Sequence, residues 1–254
     1  MGLVSDAMSD ARYPTHLCLQ APVFATNSII VETGGSAVIV DAGAGVAAAV
    51  LQQIEKTGWT PIAILITHGH VDHTWDAAHL SVALGIPVLV SDADRYQFDD
   101  PFGLDPAHPE RRDDHGMLVR AFGQHGLHPG DFQVPETLHT LGSDEGREAL
   151  VRIAGLWEGG FRAIPAPGHT PGATLYEFSG AAMSPLVCTG DVLFRSSIGR
   201  TDLPGGDHIV MQATLTRLAA EIPGDALIIP GHGPATTMAR ELGVNPYLRG
   251  ISGV

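Results

Sequence analysis

The chain has 254 residues, is 44% hydrophobic, and sets 28 acidic against 14 basic side chains for a formal net charge of −14. That balance excludes nucleic acid as an expected partner, since backbone binding needs clustered Lys and Arg to displace counterions. With no apolar run near the roughly 20 residues of a bilayer span, and no charged-then-apolar leader in Met1 to Pro14, a soluble, cytoplasmic protein is expected.

In chain order, Ser28 to Val31, Ala37 to Val40 and Ile62 to Ile66 are short runs rich in β-branched residues and predict strands. Gly45 to Lys56 repeats apolar residues at helical spacing and predicts a helix. Thr74 to Leu84 predicts a second, whose N-terminal dipole would favour anions near the residues just before it. Asp92 to Gly146 is rich in Asp, Gly, Pro and His and reads as an irregular insertion at about 92–146, either a lid or a solvated excursion. Phe161 to Pro165, Thr174 to Phe178, Leu186 to Thr189 and Ala226 to Ile229 predict further strands, and His208 to Glu221 a helix. Strands separated by single helices in both halves predict an α/β fold, an αββα sandwich of two mixed β-sheets with helices on the outer faces. Cys18 and Cys188 lie in apolar strand-like runs; two cysteines exclude a disulfide scaffold, and Leu186-Val187-Cys188-Thr189 reads as a buried strand that makes Cys188 a small core residue.

Chemistry-bearing residues gather at the ends of these strands. Thr67-His68-Gly69-His70-Val71-Asp72-His73 packs three imidazoles and a carboxylate into six positions. A spacing of two lets His68 and His70 aim at one point while Asp72 and His73 turn toward another, and the donor types suit zinc, iron or manganese. His169 in Pro167-Gly168-His169-Thr170-Pro171-Gly172, Asp191 in Cys188-Thr189-Gly190-Asp191, and His232 in Pro230-Gly231-His232-Gly233-Pro234 each follow an apolar run in a turn where glycine lets the backbone come close. Seven donors exceed the four of one tetrahedral ion and suit two. The site spans positions 68 to 232, so residues 1–254 are expected to form a single domain. His16, His79, His108, His115, His125, His128, His139 and His208 lack patterned partners and are expected to be packed or solvated, His208 beside Asp207 being the nearest to an exception.

The order HxHxDH, His, Asp, His resembles the metallo-β-lactamase superfamily, from about Asn27 to the C-terminus. The resemblance implies that His68, His70 and His169 hold one divalent metal ion and Asp72, His73 and His232 a second, zinc before iron or manganese. Asp191 would bridge both with a water or hydroxide, and Asp72 and Asp191 would be the catalytic residues. Within the superfamily, Thr189 to Phe194, Ser197 to Asp202, Gly205 to Asp207, Glu241 and Asn245 to Leu248 look like the glyoxalase II-like (hydroxyacylglutathione hydrolase-like) enzymes. That implies a metal-dependent thioester hydrolase acting on a small-molecule acyl thioester through the bridging hydroxide. The leaving group agrees, because a thiolate with a conjugate acid near pKa 8.5 departs without a dedicated general acid.

Only 22 residues follow His232, fewer than the helical C-terminal domain with which glyoxalase II recognises glutathione, so the thiol carrier stays open. Arg200 either holds a substrate carboxylate or only shapes its loop. One alternative shares the same inventory: a persulfide dioxygenase with a single iron on residues matching His68, His169 and Asp191. A β-lactamase is disfavoured because those enzymes lack an Asp at the place of Asp191. A metal-stabilised scaffold is disfavoured because seven donors shared by two ions leave coordination positions open.

Overall fold

The computed structural model describes residues 10–111 and 116–249, so residues 1–9 of the inspected leader region and His115 lie outside the described residues. Six strands form one mixed sheet in chain order: β1 (His16–Gln20), β2 (Asn27–Thr33), β3 (Ser36–Val40), β4 (Thr60–Leu65), β5 (Val88–Val90) and β6 (Leu138–Thr140). β1–β2 and β2–β3 are antiparallel and the remaining pairs parallel. The second sheet contains β7 (Phe161–Pro165), β8 (Thr174–Phe178), β9 (Leu186–Gly190), β12 (Leu227–Pro230) and β13 (Thr236–Thr237), ordered β13-β12-β9-β8-β7. Here β12 and β9 are parallel and the other pairs antiparallel. β10 (Leu193–Phe194) and β11 (Ser197–Ile198) make a separate small hairpin.

The period-2 alternation of side chains sorts the strands into layers. Val38, Val40 and Leu65 of the first sheet meet Tyr176, Phe178, Cys188 and Ile229 of the second between the sheets. The intervening Ile30, Ile39 and Ile64 turn outward and pack beneath α1 (Ala47–Thr57) and α3 (Ala77–Leu84). On the far side, Leu175, Val187 and Ile228 turn outward beneath α6 (His208–Glu221), whose Met211, Leu215, Leu218 and Ala219 form one apolar stripe. Strands covered on both faces explain the nearly continuous apolar runs in the sequence. The result is the αββα sandwich of two mixed sheets.

Two stretches differ from expectation. The helix expected over Thr74–Leu84 starts at Ala77, and the preceding turn α2 (Val71–Thr74) contains Asp72 and His73 themselves. The break has a backbone cause: the His73 carbonyl accepts from Ala42 N–H at 2.8 Å, and Asp76 N–H donates to the Ala42 carbonyl at 3.0 Å. Those groups are therefore withheld from the helical ladder. The 92–146 segment carries a 3-10 turn at Asp92–Phe98, α4 (Met117–Gly123) and, near its end, the sheet strand β6. α5 (Asp144–Ala154) follows, capped by Ser143 accepting from Gly146 N–H. The chain closes with α7 (Met238–Val244). No helix among the described residues is long and apolar enough to cross a membrane.

Candidate metal centre

All seven candidate donors lie just beyond the C-terminal ends of strands, the edge where α/β sheets usually bind ligands. His68, His70, Asp72 and His73 follow β4, His169 follows β7, Asp191 follows β9 and His232 follows β12. Backbone bonds join the two sheets at this edge: Thr174 N–H donates to the Thr67 carbonyl at 2.8 Å and Asn27 N–H to the Gly231 carbonyl at 2.7 Å. Gly231 is required by proximity, since a Cβ there would stand 2.2 Å from Asp191 Oδ1.

The donors converge as two sets. His70 Nδ1 lies 3.1 Å from His68 Nε2 and 3.0 Å from His169 Nε2. His73 Nε2 lies 3.3 Å from His232 Nε2, and Asp72 Oδ2 lies 3.3 Å from that same His232 nitrogen. Asp191 reaches both sets, with Oδ2 at 3.7 Å from His169 Nε2 and 3.5 Å from His232 Nε2, and Oδ1 at 3.4 Å from His73 Nε2. Within the groups His68–His70–His169, His68–His73–Asp191 and Asp72–His73–His232, the donor atoms all fall within 4.8 Å of one another.

This geometry fits metal ions. Bonds of about 2.0–2.1 Å to tetrahedral ligands set the ligands about 3.3 Å apart, close to the 3.0–3.3 Å seen between ring nitrogens. Asp191 Oδ1 is buried without a hydrogen-bond partner, an orphan that a cation would satisfy.

Four of the five imidazoles are oriented by their other nitrogen, as metal-binding histidines usually are. His73 Nδ1 meets Asp41 Oδ2 at 2.7 Å, His169 Nδ1 the Arg200 carbonyl at 2.7 Å, His232 Nδ1 the Phe24 carbonyl at 3.1 Å, and His68 Nδ1 Thr67 Oγ1 at 3.1 Å. Asp41 also accepts from Thr67 N–H at 2.7 Å and Thr67 Oγ1 at 2.8 Å, and it sits at φ 60°. A non-glycine residue held there by three polar contacts is strain retained at a working site. A second fully buried carboxylate, Asp94, accepts from Gly69 N–H, Thr170 Oγ1 and Gly172 N–H at 2.9, 2.6 and 2.7 Å. It thereby clasps the His68–His70 loop to the His169 loop. Gly69 packs directly beneath it, a Cβ there being 2.8 Å from the Asp94 carbonyl oxygen and from Gln97 Cβ.

Electrostatics divides the cluster. Burial holds His68 well below the usual imidazole range, and burial with the charge of His169 brings His70 to about 3. For His73 burial disfavours the charged form, yet Asp41, Asp72 and Asp191 outweigh it and raise the imidazole well above its ordinary value. His232 likewise rises to about 9 through Asp191 and Asp72 against its burial. At the carboxylates burial is overcome by His73 and His232, which hold Asp72 at about 2 and Asp191 well below the ordinary range. Burial raises Asp94, opposed by its bonds from Thr170, Gly69 and Gly172.

The other residues singled out in the sequence have structural places. Cys188 is fully buried between the sheets, and burial raises its thiol well above the ordinary range; burial takes Cys18 to about 11. Asp207 caps α6 by accepting from Ile209 and Val210 N–H, and His208 faces Gln212 on that helix rather than the donor cluster. The Arg200 guanidinium is bidentate to Asp202 at 2.7 and 2.8 Å. Glu241 and Asn245 brace the β10–β11 hairpin: Glu241 accepts from Ser196 N–H at 2.7 Å and Asn245 Nδ2 donates to the Ser197 carbonyl at 3.0 Å. That hairpin presents Phe194 to the cleft above the donors. The cleft measures about 420 Å³, with walls that include Phe24, Leu118 of α4, Phe194 and Leu203.

Sequence reasoning did not single out Asp41, Asp94 or Thr67 as supports. Asp41 carried a readable signal, an apolar run ending in a carboxylate beside glycines, which is the pattern that identified Asp191. Asp94 carried none, because its partners lie 25 and 76–78 positions away.

Comparison with known proteins agrees with the fold. An uncharacterised protein of Mycobacterium tuberculosis is 33% identical over 222 residues, 86% of this chain and 90% of that protein. The hydroxyacylglutathione hydrolase GloC of Haemophilus influenzae is 30% identical over 226 residues, 89% of this chain and 93% of its own. The crystal structure of TTHA1623 in a di-iron-bound form is similar with a TM-score of 0.69 and 31% identity, covering 91% of this chain and 99% of that one. Residues 21–232, which hold all seven donors, match the sequence profile of the Metallo-beta-lactamase superfamily, and the chain belongs to that superfamily.

Proposed function

We propose that the protein is a dinuclear metal-dependent hydrolase that cleaves a small-molecule acyl thioester, as glyoxalase II-like enzymes do. The observation that carries this reading is the second donor set, Asp72, His73 and His232, joined to the first through Asp191. In this reading His68, His70 and His169 would hold one ion and Asp72, His73 and His232 the other, with Asp191 within reach of both sets. When bound, divalent cations would supply Lewis acidity and lower the pKa of a bound water toward neutrality.

The chain's own residues do the rest. Asp41, Thr67 and the carbonyls of Phe24 and Arg200 fix the imidazoles, so little reorganisation is needed during reaction. Asp72 Oδ2 and Asp191 Oδ2 lie 3.3 and 3.5 Å from the same His232 nitrogen, which supports the reading that both carboxylates serve the reacting centre. Phe24, Leu118, Phe194 and Leu203 exclude solvent around the acyl carbon. The relative GloC, by its name, acts on hydroxyacylglutathione, which supports the thioester class.

The test is thiol release from acyl thioesters by the metal-loaded protein, lost on chelation and restored by metal. Oxygen consumption on a persulfide, with one iron per chain and no thioester turnover, would replace this reading with the mononuclear dioxygenase.

A further inference from the structure

The cleft above the donors is apolar on its walls, and outside the candidate metal donors its described lining carries a single cationic side chain. Phe24, Leu118, Phe194 and Leu203 stand around it, and Arg200 is the one lysine or arginine among its described lining residues. That guanidinium is already bidentate to Asp202. A neighbouring recess that shares His70, Leu118 and Leu203 with the cleft has Arg111 as the arginine among its described lining residues, and Arg111 lies 4.0 Å from Glu110 and over the Tyr96 ring at 4.5 Å. Lys56, the chain's single lysine, is in the last turn of α1, on the outer face of the first sheet. The chain as a whole carries −14.

The wall contributed by the 92–146 segment is anchored. Phe122 of α4 is fully buried, with ring centroids 4.9 Å from Trp75, 5.3 Å from Phe102 and 6.1 Å from Phe24. This packing holds Leu118, one turn earlier on the same helix, at the mouth of the cleft. Phe24 is held as firmly: it sits at φ 56°, and its carbonyl accepts from His232 Nδ1.

Burying an anion demands a charged or strongly hydrogen-bonding partner. A carrier whose carboxylates or phosphates lie along the walls, beyond the metal donors, would meet apolar side chains and an arginine already held by an aspartate, on a chain of formal charge −14. Resting on the thioester-hydrolase reading, we propose that the substrate is an uncharged thioester, with neither carboxylate nor phosphate on its acyl group or its thiol carrier, and that Leu118 helps set this specificity. In the step, water oxygen bonds to the acyl carbon and the C–S bond breaks. The thiolate departs and takes up a proton, and the acyl group leaves as the carboxylic acid or its anion.

The experiment compares kcat/KM of the metal-loaded protein on two thioesters of one acyl group: S-propionyl-N-acetylcysteamine, which is uncharged, and S-propionylglutathione, which is anionic. The uncharged thioester is expected to be favoured at least about 10-fold at low salt, the low end of what charge complementarity contributes to association. Added salt should narrow the gap by raising the rate on the glutathione thioester alone, because screening weakens repulsion. Leu118→Arg should raise the ratio of kcat/KM on the glutathione thioester to that on the uncharged one, whatever it does to the absolute rate on either. Equal or greater kcat/KM on the glutathione thioester in the wild-type protein overturns this inference while leaving the hydrolase reading intact. Failure on both carriers with two metals bound overturns the hydrolase reading, and the inference falls with it.

Discussion

Replacing Asp94 by Asn keeps the side chain's shape but turns one acceptor oxygen into an NH2. Its carboxylate serves three donors, with Gly69 N–H and Thr170 Oγ1 on Oδ2 and Gly172 N–H on Oδ1. Whichever way the amide faces, at least one buried donor confronts an N–H, and an unsatisfied buried donor costs about 1–3 kcal/mol. Burial already raises the Asp94 carboxyl, so removing the charge also removes part of the cost of ionising it. The expected loss for the metal-free protein is therefore toward the lower end, about 1–2 kcal/mol. The larger effect is on metal, because the two clasped loops carry His68, His70 and His169 and outer-shell changes cost roughly 10–100-fold in affinity. Denaturant titration should show a lower midpoint at unchanged slope. Competition against a chromophoric chelator should show one metal equivalent weakened and the other retained. Gly172→Ala should act similarly, since its Cβ would stand 2.6 Å from Asp94 Cγ. An Asp94→Asn protein within about 0.5 kcal/mol of wild type and binding both equivalents unchanged would refute the clasp.

Asp191→Ala is expected to lose more than roughly 100-fold in kcat, beyond what outer-shell changes produce, while its circular dichroism stays native; a variant that unfolds with no activity to lose would favour a scaffold. In the metal-free protein His73 and His232 hold protons above the ordinary imidazole range, His232 up to about 9. Protonation at His232 thus contributes stability that is complete below about 6.5 and lost as pH rises through about 9. Because metal requires the neutral rings, binding at pH 7.5 should release protons and strengthen as pH rises toward 9, with isothermal titration in buffers of differing ionisation enthalpy as the check and buffer-independent heats as the contrary result. Cys188 should not react with a thiol reagent at pH 7.5 until the protein is denatured, given its full burial and raised thiol pKa, and half-buried Cys18 should react slowly because its thiol is raised to about 11; rapid labelling of native Cys188 would contradict its core placement.

Much of the fold was legible where local pattern and burial agree. β7, β8 and α6 have the bounds their sequence predicts, because each carries an uninterrupted apolar period and α6 has a cap at Asp207. β5 and β6 span three residues each and exist only through parallel pairing with their neighbours, so no local period marks them. The break between α2 and α3 was hidden for a related reason: the competing partner of the His73 carbonyl is Ala42, thirty-one positions earlier. The candidate donors were readable because so many polar groups beside apolar runs need partners. Their supports at Asp41 and Asp94, and the apolar wall from α4, become visible only when distant segments meet.

The most direct measurement is elemental analysis of protein purified without chelators, coupled to thioester turnover on the same sample. The two donor sets joined by Asp191 lead to about two metal ions per chain, with turnover falling in step as they are removed. One iron per chain at full activity, with Asp72, His73 and His232 dispensable, would contradict the dinuclear centre.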